Sequence, residues 1–487
     1  MTEGKMVGDA ARKSGARPFG EAKSSKSHNT GRAAGGKAPG ERKEKAKKKE
    51  SARRGTPRRV IANRRDASKA PAALSNSMET GAAGVASKTA VPAAGVRAQK
   101  ARSGHVSPED IIRLRGGVDR PMLLIIILLL CFGSIMVFSS SFPNALNDYG
   151  DSYYYIKRQL GFIVIGSVGM IAAAIIDYRW IRRVTTAIYI VALILLVAVL
   201  FTGYGSSSGM AKRWLEIPGL IRFQPSELMK LALVLMIAKY MSDHEAEITD
   251  YSNFRRSSWH GFFVPFIFTV VACLLVALEF HFSGTIILFL IGMIVIFAGG
   301  ARMFWFFLGG GLAAAVLIPA ILFTDYAKLR IDTWLHPENY AANNEIWQTL
   351  QGLNAVGSGG LFGVGLGYSR QKHLFVPEPQ NDFIFSIVCE ELGFIGALAV
   401  ILLFALFVWR GIVIALRAPD TFTSLVVIGI VGKIAIQATL NMMVVTNLIP
   451  NTGISLPFFS YGGTSLAMLM GEMGIVLCIS RYSYQEK

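Results

Sequence analysis

Cysteine is rare in this 487-residue chain, with four in all. Cys131, Cys273, Cys389 and Cys478 each fall inside an apolar stretch, without metal-ligand spacing and without a partner in a polar loop, so no disulfide is expected and they read as small core residues. Residues 1–110 lack apolar periodicity, and such a segment cannot bury enough surface to offset its ordering entropy. A disordered cytoplasmic tail is expected there. The first 120 residues also lack acidic balance, with 28 Lys and Arg against 11 Asp and Glu, whereas the remaining 367 hold 22 against 21. Nearly all of the net charge of +18 therefore belongs to the tail. No aromatic interleaving and no folded reader accompany the basic runs at 41–50 and 53–65, which argues against nucleic acid and for contact with anionic membrane lipids. A secretory signal is excluded by the length and polarity of the chain ahead of its first apolar run.

Hydrophobic residues, at 52%, are what the chain has in abundance. A bilayer-crossing helix needs roughly 20 mostly apolar residues. Ten segments qualify: 121–141, 159–177, 184–203, 225–241, 261–279, 284–300, 303–323, 383–409, 421–446 and 463–480. The expected fold class is all-α, a polytopic integral membrane protein of about ten transmembrane helices. The expected domains are the basic tail (1–110) and a membrane domain (111–487) with a large outer loop at 324–382. The basic tail places the N-terminus in the cytoplasm, and ten spans return the C-terminus there. On that orientation the inner loops carry Arg179, Arg182, Arg183, Arg255, Arg256, Arg302, Arg410 and Arg417. The outer loops are less clean, because they hold Lys157, Arg158, Lys212, Arg213, Arg222, Lys328, Arg330, Arg370 and Lys372. Snorkelling at helix ends accounts for isolated cases. So many around one region point instead to an outward-facing site for an anionic ligand such as a pyrophosphate.

Several polar groups fall where lipid is expected. Pro225 at a first helical position and Glu227 in the first turn make a well-formed start to the fourth span. Lys230, three residues on, lies on the same face and can pair with Glu227. Lys433, Gln437 and Asn441 form one stripe on the ninth span, Glu390 and Glu391 lie in the eighth, and Glu472 lies in the tenth. Charges in a membrane are functional suspects, and interhelical hydrogen bonding is the plainer reading of the stripe. Glu279 and His281 sit at the outer end of the fifth span, where a lone His is ordinarily interfacial. In the long loop, Ile346, Trp347, Leu350 and Leu353 recur at helical spacing, as in a helix lying flat on the outer surface. The glycine-rich stretch 357–367 fails the G-x-G-x-x-G spacing and follows no strand, which excludes a nucleotide fold. Its glycines are expected to let the backbone pass close to a ligand. Asp382 falls where the eighth apolar run begins. A carboxylate there is either a helix cap or a general base facing a membrane-bound substrate.

These residues resemble the SEDS family of cell-wall polymerases, its FtsW branch more than its RodA branch. The resemblance runs over about 120–481 and rests on ordered motifs. They are Arg213-Trp214 with 223–230 (FQPSELMK), 363–372 (GVGLGYSRQK), Pro377-Glu378 with 381–385 (NDFIF) and 390–393 (EELG), and 450–463 (PNTGISLPFFSYGG). Two departures stand out. The family commonly has Pro-Asp ahead of the Gly-Thr that opens the sixth span, and here 280–285 read FHFSGT. The usual His-Thr before the catalytic Asp is Gln380-Asn381.

The resemblance implies a ten-helix peptidoglycan glycosyltransferase that polymerises lipid II at the outer face of the cytoplasmic membrane. It places the protein at the division septum beside a class B penicillin-binding transpeptidase and other divisome membrane proteins. Inversion at the anomeric carbon needs one base for the acceptor hydroxyl, a role that falls to Asp382. Positive groups must hold the undecaprenyl pyrophosphate leaving group, a role for Arg213, Arg370 and Lys372. Glu227, Lys230, Glu378 and Ser460 complete the expected substrate contacts. A divalent cation, Mg or Mn, would share the work on the pyrophosphate, although no ligand cluster marks one. Two rival readings are a lipid II flippase, which calls for a midplane site and internal repeats, and a non-catalytic scaffold for the transpeptidase.

Overall fold

The computed structural model of the protein describes residues 116–482 except 203, 206–211, 218–220, 251, 324 and 341–343, so the expected tail at 1–110 lies outside the described residues. The order begins with α1 (Arg120–Tyr149), α2 (Tyr154–Ile175) and α3 (Tyr178–Thr202). Three short strands follow, β1 (Tyr204–Gly205), β2 (Lys212–Ile217) and β3 (Ile221–Phe223). Next come α4 (Pro225–Asp243), α5 (Glu245–Thr249), α6 (Phe254–Ser258), a π-helical turn (Trp259–Phe263), α7 (Val264–Leu278), α8 (Phe282–Ala298) and α9 (Met303–Phe323). The loop region holds α10 (Asp325–Leu335), a 3-10 turn (Pro337–Tyr340) and α11 (Asn344–Ser358). The chain closes with α12 (Ile384–Leu416), α13 (Thr421–Val445) and α14 (Thr464–Ser480).

Each of the ten expected segments falls on a helix, and among the described residues six stretches are long and apolar enough to cross a membrane: α1, α2, α3, Phe254–Leu278, α12 and α13. α8 and α14 are shorter, with 17 residues each, and α9 is apolar over its described part, Met303–Ala315. α4 carries Glu227, Lys230, Lys239 and Asp243. The helical membrane architecture stands, while a count of ten is not established. The all-α expectation also missed a small antiparallel sheet in the order β1-β2-β3, with Leu215 opposite Phe223 and Ile217 opposite Ile221. Its strands are too short to show a strong alternation in sequence.

The described chain enters and leaves at one end of the bundle. Gly116 N donates to Arg481 O (3.0 Å) and Asp119 N to Ser480 Oγ (3.1 Å). Asp119 caps α1 by accepting from Met122 N (2.8 Å) and pairs with Arg410 (2.5 Å). At the opposite end lie the starts of α4, α8, α12 and α14, the end of α13, the sheet and the long loop. Partway along α1, Gly133 comes so close to the 454–461 segment that an added Cβ would overlap the Phe458 carbonyl oxygen.

The feature that shapes that end is a break in α12. Gly393 has φ 65° and ψ −165°, a combination open to glycine and almost nothing else. The turn separates Phe394 and Ile395 from the carbonyls of Glu390 and Glu391, which they would meet in a continuous helix. The glycine-rich loop supplies replacements. Phe394 N donates to Gly360 O (2.9 Å) and Ile395 N to Leu361 O (3.2 Å), while Glu390 O accepts from Val364 N (3.0 Å) and Glu391 O from Gly365 N (3.0 Å). In lipid, backbone groups left unmatched would each cost several kcal/mol, so loop and broken helix require each other. Two glycines of the 357–367 stretch have a further use, which is to fit the loop to α12. A Cβ at Gly359 would overlap Cys389 O, and one at Gly363 would overlap Glu391 O; the glycines bring the loop against α12.

α11 takes the helical form expected from its spacing, but it is packed and stapled to the loop. Gly352 sits against the Phe383 ring, with a Cβ there reaching 2.7 Å. Trp347 Nε1 donates to Phe375 O (3.0 Å) and Gln348 Nε2 to Pro377 O (3.2 Å).

Gly393→Ala should destabilise the protein by more than the ~1–3 kcal/mol of backbone strain alone, because its Cβ would also overlap Gly363 N and lie 2.6 Å from Leu361 O. Thermal unfolding in detergent, followed by size-exclusion fluorescence, measures this. An unchanged melting temperature would show that the break does not depend on glycine.

Candidate active site

Asp382 stands immediately before α12 without capping it. The cap position belongs to Phe383, and no side chain bonds the first turn. The capping reading of Asp382 is therefore not what the fold uses. Its backbone is held from two sides. Asn441 of α13 donates Nδ2 to Asp382 O and to Ile454 O, both at 2.7 Å. Two carbonyl acceptors require the NH2 group in that orientation, so the amide assignment is unambiguous. Ser460 Oγ donates to Asn381 O (2.7 Å) and accepts from Leu456 N (2.7 Å), and Tyr461 N donates to Gln380 O (2.9 Å). Segment 380–382 is thereby strapped to segment 454–461.

The Asp382 carboxylate itself accepts no hydrogen bond among the described residues. Gly453, at φ 63°, faces it, and a Cβ there would lie 3.2 Å from Oδ2, so glycine leaves that side of the carboxylate free. Burial, and then the nearby negative charge of Glu378, push Asp382 up to about 6. Glu378 is exposed, has φ 46°, and accepts from Asn381 Nδ2 (2.7 Å).

Below this carboxylate pair the bundle holds two buried ion pairs. Lys230 and Glu227 meet at 2.7 Å as expected from their i, i+3 spacing. Lys433 of α13 bonds Glu472 of α14. The four charges act on one another electrostatically, and as two acids and two bases they cancel. Gln437 and Asn441 complete the buried face of α13. The stripe reading of the sequence thus resolves into an ion pair at one position and an anchor for Asp382 at another.

The turn between α7 and α8 reaches the same neighbourhood. Ser283 Oγ donates to Thr452 O, one residue from Gly453. Gln224 Nε2 meets His281 Nδ1 at 3.4 Å, and Arg213 of β2 donates Nη2 to Phe280 O (2.6 Å). Arg213, Glu227 and Lys230 therefore gather around His281, whereas the charge that acts on Asp382 is Glu378. Asn441, Gly453 and the hairpin that carries Arg213 were not anticipated as parts of a site. Only the i, i+4, i+8 stripe hinted at the first.

Lys372 requires a correction. It is 2% exposed, and its three N–H donors all have protein acceptors: Glu391 Oε1 (2.8 Å), Gly367 O (2.7 Å) and Ser139 Oγ (3.3 Å). With every donor occupied in a buried pair it has nothing to offer a pyrophosphate. Glu390 plays the matching part, accepting from Ser369 Oγ (2.5 Å) and Arg370 N (2.8 Å). Arg370 itself extends an exposed side chain. Ser460, with its hydroxyl bonded on both sides, holds the loop. The side chains of Lys212, Lys328 and Arg330 lie outside the described residues. Among the described residues no group of three or more His, Cys, Asp or Glu is placed to hold a metal ion.

Lys372→Met or Glu391→Met alone should cost ~3–5 kcal/mol, because each leaves an uncompensated buried charge, whereas the double variant should recover much of the loss. A double-mutant cycle on thermal stability reads this directly. Additive losses would mean that the pair is not coupled.

The FtsW/RodA/SpoVE family profile, described as cell cycle protein, matches residues 120–485. Stage V sporulation protein E of Bacillus subtilis (strain 168) is 41% identical over 367 residues, covering 75% of this chain and 97% of that protein. The Trichlorobacter lovleyi protein named probable peptidoglycan glycosyltransferase FtsW is 37% identical over 364 residues, 74% of this chain and 93% of that one. Two solved structures share the fold. A chain from work on structural coordination of polymerization and crosslinking by a peptidoglycan synthase complex matches with TM-score 0.61 at 24% identity, over 76% of this chain and 99% of that one. A mutant of the rod shape determining protein RodA of Thermus thermophilus matches with TM-score 0.56 at 25% identity, over the same shares. With the profile matched across the whole helical region and identities of this size, the chain belongs to the FtsW/RodA/SpoVE family of cell cycle proteins.

Proposed function

We propose that this chain is a peptidoglycan glycosyltransferase that polymerises lipid II into glycan strands during cell division. The observation that carries the proposal is Asp382: a carboxylate at a helix start that caps nothing, accepts no hydrogen bond among the described residues, and is held by Asn441 beside a glycine that leaves it open. Relatives named as peptidoglycan glycosyltransferases, at 34–37% identity, support the same reading. The end of the bundle bearing Asp382 faces outward, with both chain termini in the cytoplasm, because the basic residues at 1–120 favour the inner side. The tail is a membrane-surface and localisation segment. A class B penicillin-binding transpeptidase is the partner, in keeping with the fold shared with a chain of a peptidoglycan synthase complex.

In the proposed reaction Asp382 removes the proton from the acceptor hydroxyl as its oxygen attacks the anomeric carbon of the donor. The bond from that carbon to the diphosphate oxygen breaks, and undecaprenyl diphosphate leaves with the electron pair. Arg213 and Arg370 supply positive charge to the leaving group. Glu378 is the carboxylate that would contact a divalent cation at the diphosphate, where the ion would supply Lewis-acid stabilisation and leave Asp382 free as the base. A lipid II transporter is the second reading, favoured by the interruption of α12, since transporters build sites on broken helices. Here, however, the freed backbone groups and both glutamates beside the break are already matched by the loop at 359–372.

Purified full-length protein, with and without a co-purified transpeptidase, should polymerise lipid II, and Asp382→Asn should lower the rate ~10²–10⁴-fold. A base acts only when ionised, so kcat/KM should fall as pH drops through about 6 and level off above it. The sign for stability is opposite. A carboxyl raised on folding favours the folded state below its ordinary pKa and loses that contribution as pH rises through about 6. Asp382→Asn should therefore melt no lower than wild type at neutral pH. Near-normal polymerisation by Asp382→Asn would remove the base assignment.

A further inference from the structure

The α7–α8 turn and the facing strand β2 each hold an ionisable group that the described residues do not fully satisfy, Glu279 and Arg213. Glu279 is 1% exposed, and neither of its carboxylate oxygens has a hydrogen-bond partner among the described residues. Burial pushes it up to about 8, opposed by the charge of Arg213. Arg213 uses Nη2 on Phe280 O, yet its Nε is also buried without an acceptor among the described residues. The two side chains sense each other electrostatically but form no ion pair. Phe280, between them in the structure, is held at φ 55°, a strained conformation for a bulky residue. A strained turn that keeps an acid and a base unjoined is arranged for something other than their own pairing.

The chemistry of the two groups narrows what fits between them. A metal cation would satisfy Glu279 and be repelled by Arg213, and a bare anion would do the reverse. A matching ligand brings a hydrogen-bond donor and an anionic oxygen close together. An N-acetylated hexosamine 1-phosphate does this on adjacent ring carbons, with the phosphate on C1 and the acetamido N–H on C2. The turn is placed for it, because Ser283 is bonded to Thr452, next to the glycine that faces Asp382. His281, with its ring packed over Gly284, faces Gln224 on the other side.

We propose that Arg213 and Glu279 form a subsite for the lipid-linked sugar phosphate, with Arg213 Nε donating to a phosphate oxygen and Glu279 accepting from the acetamido N–H. The assignment rests on the proposed polymerase activity and adds Glu279 as a specificity residue. Glu279 selects an N-acetylated sugar, and Arg213 selects a phosphorylated one.

The test uses full-length protein in detergent micelles with lipid II as the probe. Initial rates and equilibrium binding are measured for wild type, Glu279→Gln, Glu279→Leu and the charge exchange Arg213→Glu with Glu279→Arg. Glu279→Leu, which removes the acceptor, should raise KM by about 10- to 100-fold with kcat within about threefold, whereas Glu279→Gln, whose amide oxygen still accepts, should raise it less. The charge exchange should stay impaired, since the ligand's own polarity is not reversed. Melting temperatures within a few degrees of wild type exclude misfolding, and the near-isosteric Gln variant guards against it. Recovery by the charge exchange would assign the two residues to an internal ion pair and overturn the proposal, as would unchanged KM in both Glu279 variants. Direct binding separates this test from the activity itself. Weaker lipid II binding by Glu279→Leu supports the subsite even in protein that makes no glycan, and equal binding rejects it.

Discussion

The constraint on which the site end of this protein depends is that backbone groups in a membrane must find partners within the protein. α12 breaks at Gly393, and the four groups released there are matched one for one by residues 360–365. A loop that would otherwise be free to move is thereby made part of a helix. Glu390 and Glu391 add a second layer, since their side chains bind Ser369, the Arg370 amide, Lys372 and Ser139. What leaves this anchored loop is the short segment that ends in Asp382, and its position is set before any substrate arrives. Preorganisation of this kind is what a base needs if reorganisation is not to be part of the reaction.

The electrostatics follow the same economy. Glu227 with Lys230, Lys433 with Glu472, Lys372 with Glu391 and Asp119 with Arg410 are opposite charges joined in or beside the bundle. Each pair offsets part of its desolvation by mutual attraction and is damaging to split. Against that background the unmatched groups are informative. Asp382 and Glu279 both lack a hydrogen-bonded partner among the described residues, and burial raises both. Perturbed carboxylates that structural pairing does not explain are where chemistry or recognition is expected.

How far the sequence could be read depended on the range of each interaction. Apolar run length located all ten helical segments, because hydrophobicity is a property of consecutive residues. The i, i+3 spacing of Glu227 and Lys230 foretold their ion pair, since both lie on one face of one helix. The Asp at position 382 was legible as a candidate base from its place at the start of an apolar run. The choice between base and cap was not legible, because it depended on which of two adjacent residues, Asp382 or Phe383, would end the turn. Lys372 was misread for a similar reason. A basic residue in a polar loop looks free until the fold brings Glu391 and Ser139 against it.

By itself, then, the sequence determined the helices, the separation of a basic tail from a nearly neutral membrane domain, and the motifs that mark the family. These are encoded locally, in composition and short spacing. Only the tertiary structure decided that the glycines of 357–367 serve the broken helix, that Asn441 holds Asp382, and that Arg213 and Glu279 stand near each other unjoined. Each of those facts joins residues dozens of positions apart in the chain. Their partners are selected by packing and by the need to satisfy buried polar groups, which no local pattern records.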